Sequence, residues 1–340
     1  MLRLAALTLT LIAMALGTIV HAGSVVNVYS ARKEALIKPL LDKFSAQTGI
    51  EARLVTADAG PLLERLRREG RNSPADVFIT VDAGRLHRAK TAGLLQPLES
   101  AALEAAVPAA YRDPQGLWFG LSLRARPIIY TRGRVNPDDL STYETLADPK
   151  WRGRICIRSS SNIYNQSLVA ALIAANGEAA TLEWLKGLVK NFARKPAGGD
   201  RDQIRAAAVG ECDIAIANTY YLARMRSAEP GSADHEAAKA VVVFWPNQSG
   251  RGVHVNVSGA GVTSAAPNRD NAIRLLEFLV TDEAQAWYAT VNNEYPVKQG
   301  VPWSDAVREM GHFKADDLNL SVLGSNNALA VKLMDQAGWQ

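Results

Sequence analysis

Residues 213–224 read Asp213-Ile-Ala-Ile-Ala-Asn-Thr-Tyr220-Tyr221-Leu-Ala-Arg224. The apolar run from Ile214 to Ala217 predicts a short buried strand, and Asn218 and Thr219 are residue types suited to a helix start. Two adjacent tyrosines then fall on the first turn of the predicted helix. In open α/β sheets ligands bind beyond the carboxyl ends of strands, at turns of this kind. Neighbouring residues on a helix point about 100° apart, since a turn takes roughly 3.6 residues. From a cap, both can still reach one small object in front of the helix. The positive potential at a helix N-terminus favours phenolate over phenol. Two hard oxygen donors there suit a hard cation of high charge. The competing reading makes Tyr220 and Tyr221 packing residues, rings inward and hydroxyls at the rim.

A second turn of the same kind lies upstream. The strand predicted at Arg154–Arg158 runs into Ser159-Ser-Ser-Asn162-Ile-Tyr164-Asn165, a serine-rich cap opening a helix from Gln166 to Ala175. Tyr164 is thereby placed in the same manner as Tyr220 and Tyr221. Nearer the start, Val25–Val28, Ile50–Val55 and Ala75–Val81 read as strands, separated by helical patterns at Leu36–Phe44 and Leu62–Arg68. Strand, helix, strand, helix, strand is the grammar of a parallel sheet. Pro39 is tolerable only near the start of the first helix, which leaves Lys33 and Glu34 in the strand-to-helix loop.

Trp118–Tyr130 is a long apolar segment interrupted by Arg124 and Arg126, and the first crossing between two lobes is placed there. Val241–Phe244 and Val253–Val257 read as strands, and Ser258-Gly-Ala-Gly261 as the return crossing. The expected class is α/β with two lobes. Residues 23–122 form the first part of lobe 1, 123–257 lobe 2, 258–300 the return of lobe 1, and 301–340 a C-terminal helical segment packing on the lobes.

The first 22 residues stand apart from this pattern. Met-Leu-Arg3 is a short basic start, Leu4–Val20 is almost continuously apolar, and Val20-His21-Ala22 ends it with small outer residues. That predicts a signal peptide cleaved after Ala22. The alternative is an uncleaved anchor, because the run is nearly long enough to span a bilayer. No cysteine precedes Cys156, so no lipid-attachment cysteine lies near the start. The expectation is an exported periplasmic protein, monomeric, with no membrane insertion after cleavage.

Lys and Arg number 38 against 34 Asp and Glu, a formal charge of +4. The surplus is scattered, and without a basic stripe carrying aromatics it argues for no nucleic-acid partner. The two cysteines, Cys156 and Cys212, sit at or beside predicted strands of one region. In an oxidising compartment they suffice for one disulfide; the alternative is two separate buried thiols. No histidine or further cysteine has the spacing of a zinc site.

Several phrases together resemble the periplasmic ferric-iron-binding proteins of ABC transporters, in the class that holds iron mainly through tyrosines. They are Val26-Asn-Val-Tyr29-Ser-Ala-Arg32, Thr80-Val-Asp-Ala-Gly84, Ile157-Arg-Ser-Ser-Ser-Asn-Ile-Tyr164-Asn-Gln166, Ala217-Asn-Thr-Tyr220-Tyr221 and Asn293-Glu-Tyr-Pro296. The serine-rich tyrosine phrase and the tyrosine pair are the specific ones. The resemblance runs from Val25 to about Gly300. It implies a type II periplasmic-binding-protein fold, with two crossing strands and a central metal cleft. It also implies Fe(III) as the ligand and an inner-membrane ABC permease as the partner. Within that class Tyr164, Tyr220 and Tyr221 take the place of iron ligands. Arg124 takes the place of an arginine beside the metal, and Arg224 is a further candidate behind the ligands. Many members carry a histidine-tyrosine pair in the first loop, where this chain has Lys33 and Glu34. The Glu34 carboxylate is then a candidate substitute ligand. Otherwise water or a synergistic anion such as carbonate completes the site, with Arg124 as its anchor.

The chemistry of such a site is coherent. Free tyrosine ionises near pH 10, but a bound cation stabilises the deprotonated ligand. Ferric ion prefers anionic oxygen to sulfur donors, and three phenolates cancel its charge. Binding releases protons, so affinity falls as pH drops. His87, His235 and His312 lie away from predicted strand ends, and His254 is alone in a strand. Two other readings stay open. One is a receptor for an oxyanion or other small solute, held by backbone N–H groups at Ser159–Ser161. The other is a hydrolase using Asp82, Glu34 or His254, although no nucleophile elbow, histidine-carboxylate motif or metal-hydrolase spacing is present.

Overall fold

In the computed structural model, which describes residues 24–340, the strands run in chain order as follows. They are β1 Val25–Ser30, β2 Glu51–Thr56, β3 Val77–Val81, β4 Phe119–Ala125, β5 Ile128–Thr131, β6 Ile155–Cys156, β7 Ile214–Ile216, β8 Val241–Phe244, β9 Val255–Val262 and β10 Tyr295–Pro296. The predicted signal segment and its cleavage after Ala22 lie outside the described residues. None of the described helices is long and apolar enough to cross a membrane.

The strands form two sheets. The six-stranded sheet has the order β10-β4-β9-β3-β1-β2, and the four-stranded sheet β6-β7-β5-β8. The parallel part is confined to β2-β1-β3. β9, β4 and β10 join the larger sheet antiparallel. The strand-helix alternation therefore covers only half of that sheet. The chain passes from one sheet to the other between Ala125 and Ile128, and returns between Phe244 and Val255. β4 and β9 lie whole in the larger sheet because they ladder against each other from Phe119–Ala260 to Ala125–Val255. The boundaries expected from the sequence, 122/123 and 257/258, fall inside β4 and β9.

Local chemistry accounts for the helices that matter to the cleft. The Lys38–Thr48 helix takes Pro39 in its first turn, where no N–H is needed. It buries Leu40, Leu41 and Phe44, and ends at Gly49 with φ 71°. Each such side chain contributes roughly 1.5–3 kcal/mol on full burial. The Ile163–Asn176 helix is apolar nearly all round, as a helix covered on several sides must be. It lies against the Glu178–Lys190, Ser321–Ser325 and Asn327–Gln336 helices.

Cys156 and Cys212 are joined in a disulfide, Cα to Cα 5.9 Å. Their strands are parallel neighbours, with Ile155 opposite Ile214 and Cys156 opposite Ala215. The C-terminal segment straddles the two sheets' helices. Ser321–Ser325 packs on both the Ala83–Thr91 and Ile163–Asn176 helices. A Cβ on Gly324 would meet His87 Cβ at 2.1 Å, so only glycine permits this approach.

Candidate metal centre

Two strand-to-helix turns build the site. β6 and β7 are parallel and adjacent, so their carboxyl ends open on the same edge of the smaller sheet. After β6 the chain reaches Asn162, whose side-chain oxygen accepts from the Tyr164 N–H at 3.1 Å and starts the Ile163–Asn176 helix. After β7 it reaches Asn218, the cap of the Thr219–Arg226 helix. Tyr164 and Tyr220 thus converge although 56 residues separate them, and Tyr220 Oη donates to Tyr164 Oη at 3.2 Å. Tyr221 packs beside Tyr220, ring centroids 4.3 Å apart and planes at 36°. All three tyrosines line one cleft of about 590 Å³.

The other wall comes from the larger sheet. Ala31, Arg32, Lys33 and Leu36 follow β1, Val81 ends β3, and Arg124 lies on β4. Arg124 is 3% exposed and donates through Nη2 to Glu294 Oε1 at 2.8 Å and to Ser258 Oγ. Its Nε and Nη1 have no partner. The guanidinium carbons of Arg124 and Arg224 lie 5.7 and 5.4 Å from the centre of the Tyr220 ring. Arg224 also donates to the Asn292 carbonyl at 3.2 Å, across to the larger sheet's side.

Burial sets the protonation state of the phenols. It pushes Tyr164 up to about 12, with the neighbouring Tyr221 adding to the shift. It raises Tyr220 well above the ordinary value, with Tyr164 and Tyr221 reinforcing it. Both phenols hold their protons at neutral pH. The cleft is otherwise rich in cations: Lys33, Arg85, Arg201 and Arg205 line it together with Arg32, Arg124, Arg158 and Arg224. Against them stand Asp58, Asp200, Asp202 and Glu294.

The first-loop carboxylate is placed differently from the tyrosines. Glu34 opens the 3-10 turn Glu34–Leu36, is exposed, and is not among the residues lining the cleft. A helix start favours an acid, and Lys33 and Leu36 near it line the cleft while Glu34 does not. Asp82 and His254 do not line it either. Asp82 is buried, with its carboxylate taken up by Gly84 N, Ser167 Oγ and Asn256 Nδ2 at 2.7–2.9 Å.

The chain also matches proteins of known family and fold. The family model for bacterial extracellular solute-binding proteins matches residues 72–313. The chain belongs to that family. Iron uptake protein A1 of Synechocystis is 52% identical over 315 residues, covering 93% of this chain and 87% of the relative. A solved Trichodesmium protein (IdiA, FutA), described in complex with iron and citrate ligands, superposes with a TM-score of 0.91 at 51% identity, covering 93% of this chain and all of that one. The ferric binding protein from Campylobacter jejuni superposes at 0.87 with 37% identity, over 93% and 100% of the two chains. The fold is the two-lobed α/β fold of these solute-binding proteins, with the cleft between the lobes.

Several cleft residues of this family member escape a reading of sequence pattern. Glu294 is buried between Arg32 at 3.0 Å and Arg124 at 2.8 Å, and accepts from Ser122. Asp200 is buried at the start of the Asp200–Ala208 helix and pairs with Arg126 and Arg158. The available signal was Arg124 and Arg126 inside an apolar run: a buried guanidinium requires a buried carboxylate. Which carboxylate is a matter of tertiary structure.

Proposed function

We propose that this solute-binding protein captures ferric iron in the interlobe cleft through the phenolates of Tyr164, Tyr220 and Tyr221, and delivers it to an inner-membrane ABC permease. The observation that carries this reading is the meeting of Tyr164 and Tyr220 hydroxyls at 3.2 Å, with Tyr221 beside them, at the ends of two adjacent parallel strands. Three anionic oxygen donors match a hard trivalent cation and neutralise it. The iron-uptake and ferric-binding names of the relatives support the same cargo; they are names of uptake and binding proteins, not of reactions. The same family and the apolar start of the sequence support an exported, periplasmic location.

Three phenolates leave coordination positions open on an ion that takes up to about six hard donors. The unpartnered Nε and Nη1 of buried Arg124 favour a small oxyanion such as carbonate there, in preference to the outward-facing Glu34. Ferric phenolates absorb visible light. Titrating the purified protein with ferric salt should develop a visible band that saturates at one ion per chain. A protein that stays colourless and binds no iron would end this reading. Repeating the titration on Glu34→Gln and Arg124→Ala, with and without bicarbonate, separates the donors. The anion reading expects near-normal binding for the first and bicarbonate-sensitive loss for the second.

A further inference from the structure

Arg126 sits on the first crossing between the sheets, one residue after β4, and is 1% exposed. Its main chain is held on both sides: its N–H donates to the His254 carbonyl at 3.0 Å, and its carbonyl accepts from Tyr143 Oη at 2.7 Å. Its side chain does not line the cleft. Instead, the guanidinium forks between the two turns that carry the tyrosines. Nη2 donates to Asn165 Oδ1 at 2.7 Å, and Asn165 is the residue after Tyr164. Nη1 donates to Asn218 Oδ1 at 2.9 Å, and Asn218 is the cap two residues before Tyr220. Nη1 also donates to Asp200 Oδ2 at 3.0 Å, and the same oxygen accepts from the Asn218 N–H at 2.8 Å.

We propose that Arg126 is a positioning residue for the metal site: its fork, neutralised by Asp200, fixes the Tyr164 turn against the Tyr220 turn and so sets the spacing of the phenol oxygens. This rests on the ferric reading of the cleft. The geometry calls for arginine specifically. Only a planar fork presents donors to two separate side-chain amides and a carboxylate at once; an ammonium is a point charge on a flexible stem. Asn218 shows the same purpose from the other end. It caps its helix without a side-chain cap bond, and its amide oxygen is turned to Arg126 instead. The link is also the place where the crossing meets the ligands, because the residue that bridges the two turns is the one pinned to His254 on the return segment.

The test uses the full exported chain, loaded with ferric iron. Arg126→Lys keeps the charge beside Asp200 and removes the fork. Asn218→Ala removes one tooth of it and leaves the backbone cap in place. Affinity is read by competition with a chelator, the wavelength of the visible band is read on loaded protein, and melting is followed separately. Groups that orient metal ligands from behind typically change metal affinity roughly 10- to 100-fold when removed. Arg126→Lys should fall in that range with a displaced band, and Asn218→Ala should move both quantities the same way by less. A purely structural role would lower the melting temperature and leave affinity and band unchanged at temperatures where the variants are folded. That outcome overturns the proposal. If Arg126→Lys does not fold, Asn218→Ala decides alone, and affinity within about twofold of the parent, under 0.5 kcal/mol, overturns it. A colourless, iron-free parent removes the ferric reading and this inference together, whereas a coloured parent with unaffected variants removes only the inference.

Discussion

Glu294 reaches Arg124 across 170 residues of chain, Oε1 to Nη2 2.8 Å, while its other oxygen holds Arg32 at 3.0 Å. Burial by itself raises this carboxyl, but Arg32 and Arg124, with Ser122, overcome it and hold the group down to about 2. The carboxylate therefore stabilises the fold above its ordinary pKa of 4.5, and that contribution is lost as pH falls through 4.5 toward 2. Breaking a buried pair on one side costs about 3–5 kcal/mol. Glu294→Gln should lose stability on that scale in urea unfolding at neutral pH. A variant as stable as the parent would show that the two arginines find other partners.

The phenols predict the pH dependence of iron binding. Tyr164 and Tyr220 are both raised by burial, so as the proposed ligands each would lose a proton on binding. Affinity should fall about tenfold per proton for every unit of pH decrease, hence about 100-fold per unit from these two alone. Tyr164→Phe and Tyr220→Phe should each weaken binding at least roughly tenfold, about 1.4 kcal/mol, and flatten the slope by one proton. Chelator competition between pH 6 and 8 measures both. A slope near zero in the parent would mean that neither phenol ionises on binding.

The disulfide ties strands that already pair. Cys156 and Cys212 are 56 residues apart in sequence, and closing a loop of that size removes about 4 kcal/mol of unfolded-chain entropy in the chain-entropy model. The double Cys156→Ser, Cys212→Ser variant should lose a large part of that in urea unfolding. Iron affinity of the folded variant should change little, because β6 and β7 remain hydrogen-bonded to each other. A large affinity loss at full folding would instead mean that the bridge holds the tyrosine turns in place.

His254 is buried and pushed from the ordinary 6.5 down to about 3, first by burial and then by Arg126 and Arg251. The unfolded chain binds its proton near 6.5 and the folded chain does not, so stability falls as pH drops below 6.5. The slope owed to this one group is about 1.4 kcal/mol per pH unit. In His254→Asn the decline between pH 6.5 and 4.5 should flatten by that amount. An unchanged slope would assign the acid sensitivity elsewhere.

What sequence patterning reveals here is short-range. The apolar runs at Val25, Ile50, Ala75 and Ile214 mark strands, and the Asn162 and Asn218 caps place their tyrosines on first turns, because each signal sits within a few neighbouring residues. The crossings blur because β4 and β5 form one apolar run, broken by two arginines whose partners lie elsewhere. The buried carboxylates Asp200 and Glu294 take up Arg126 and Arg32 from 74 and 262 positions away, and no local pattern announces such a pairing. Glu34 illustrates the same limit on a smaller scale: its loop follows from Pro39, but the direction of one side chain on a 3-10 turn does not.

The Ser321–Ser325 helix touches the Ala83–Thr91 helix of one lobe and the Ile163–Asn176 helix of the other, closely enough at Gly324 that a single methyl would collide with His87. Hinge closure around a ligand rotates one lobe against the other. The two crossing segments can bend to allow this; a helix packed on both lobes cannot follow both.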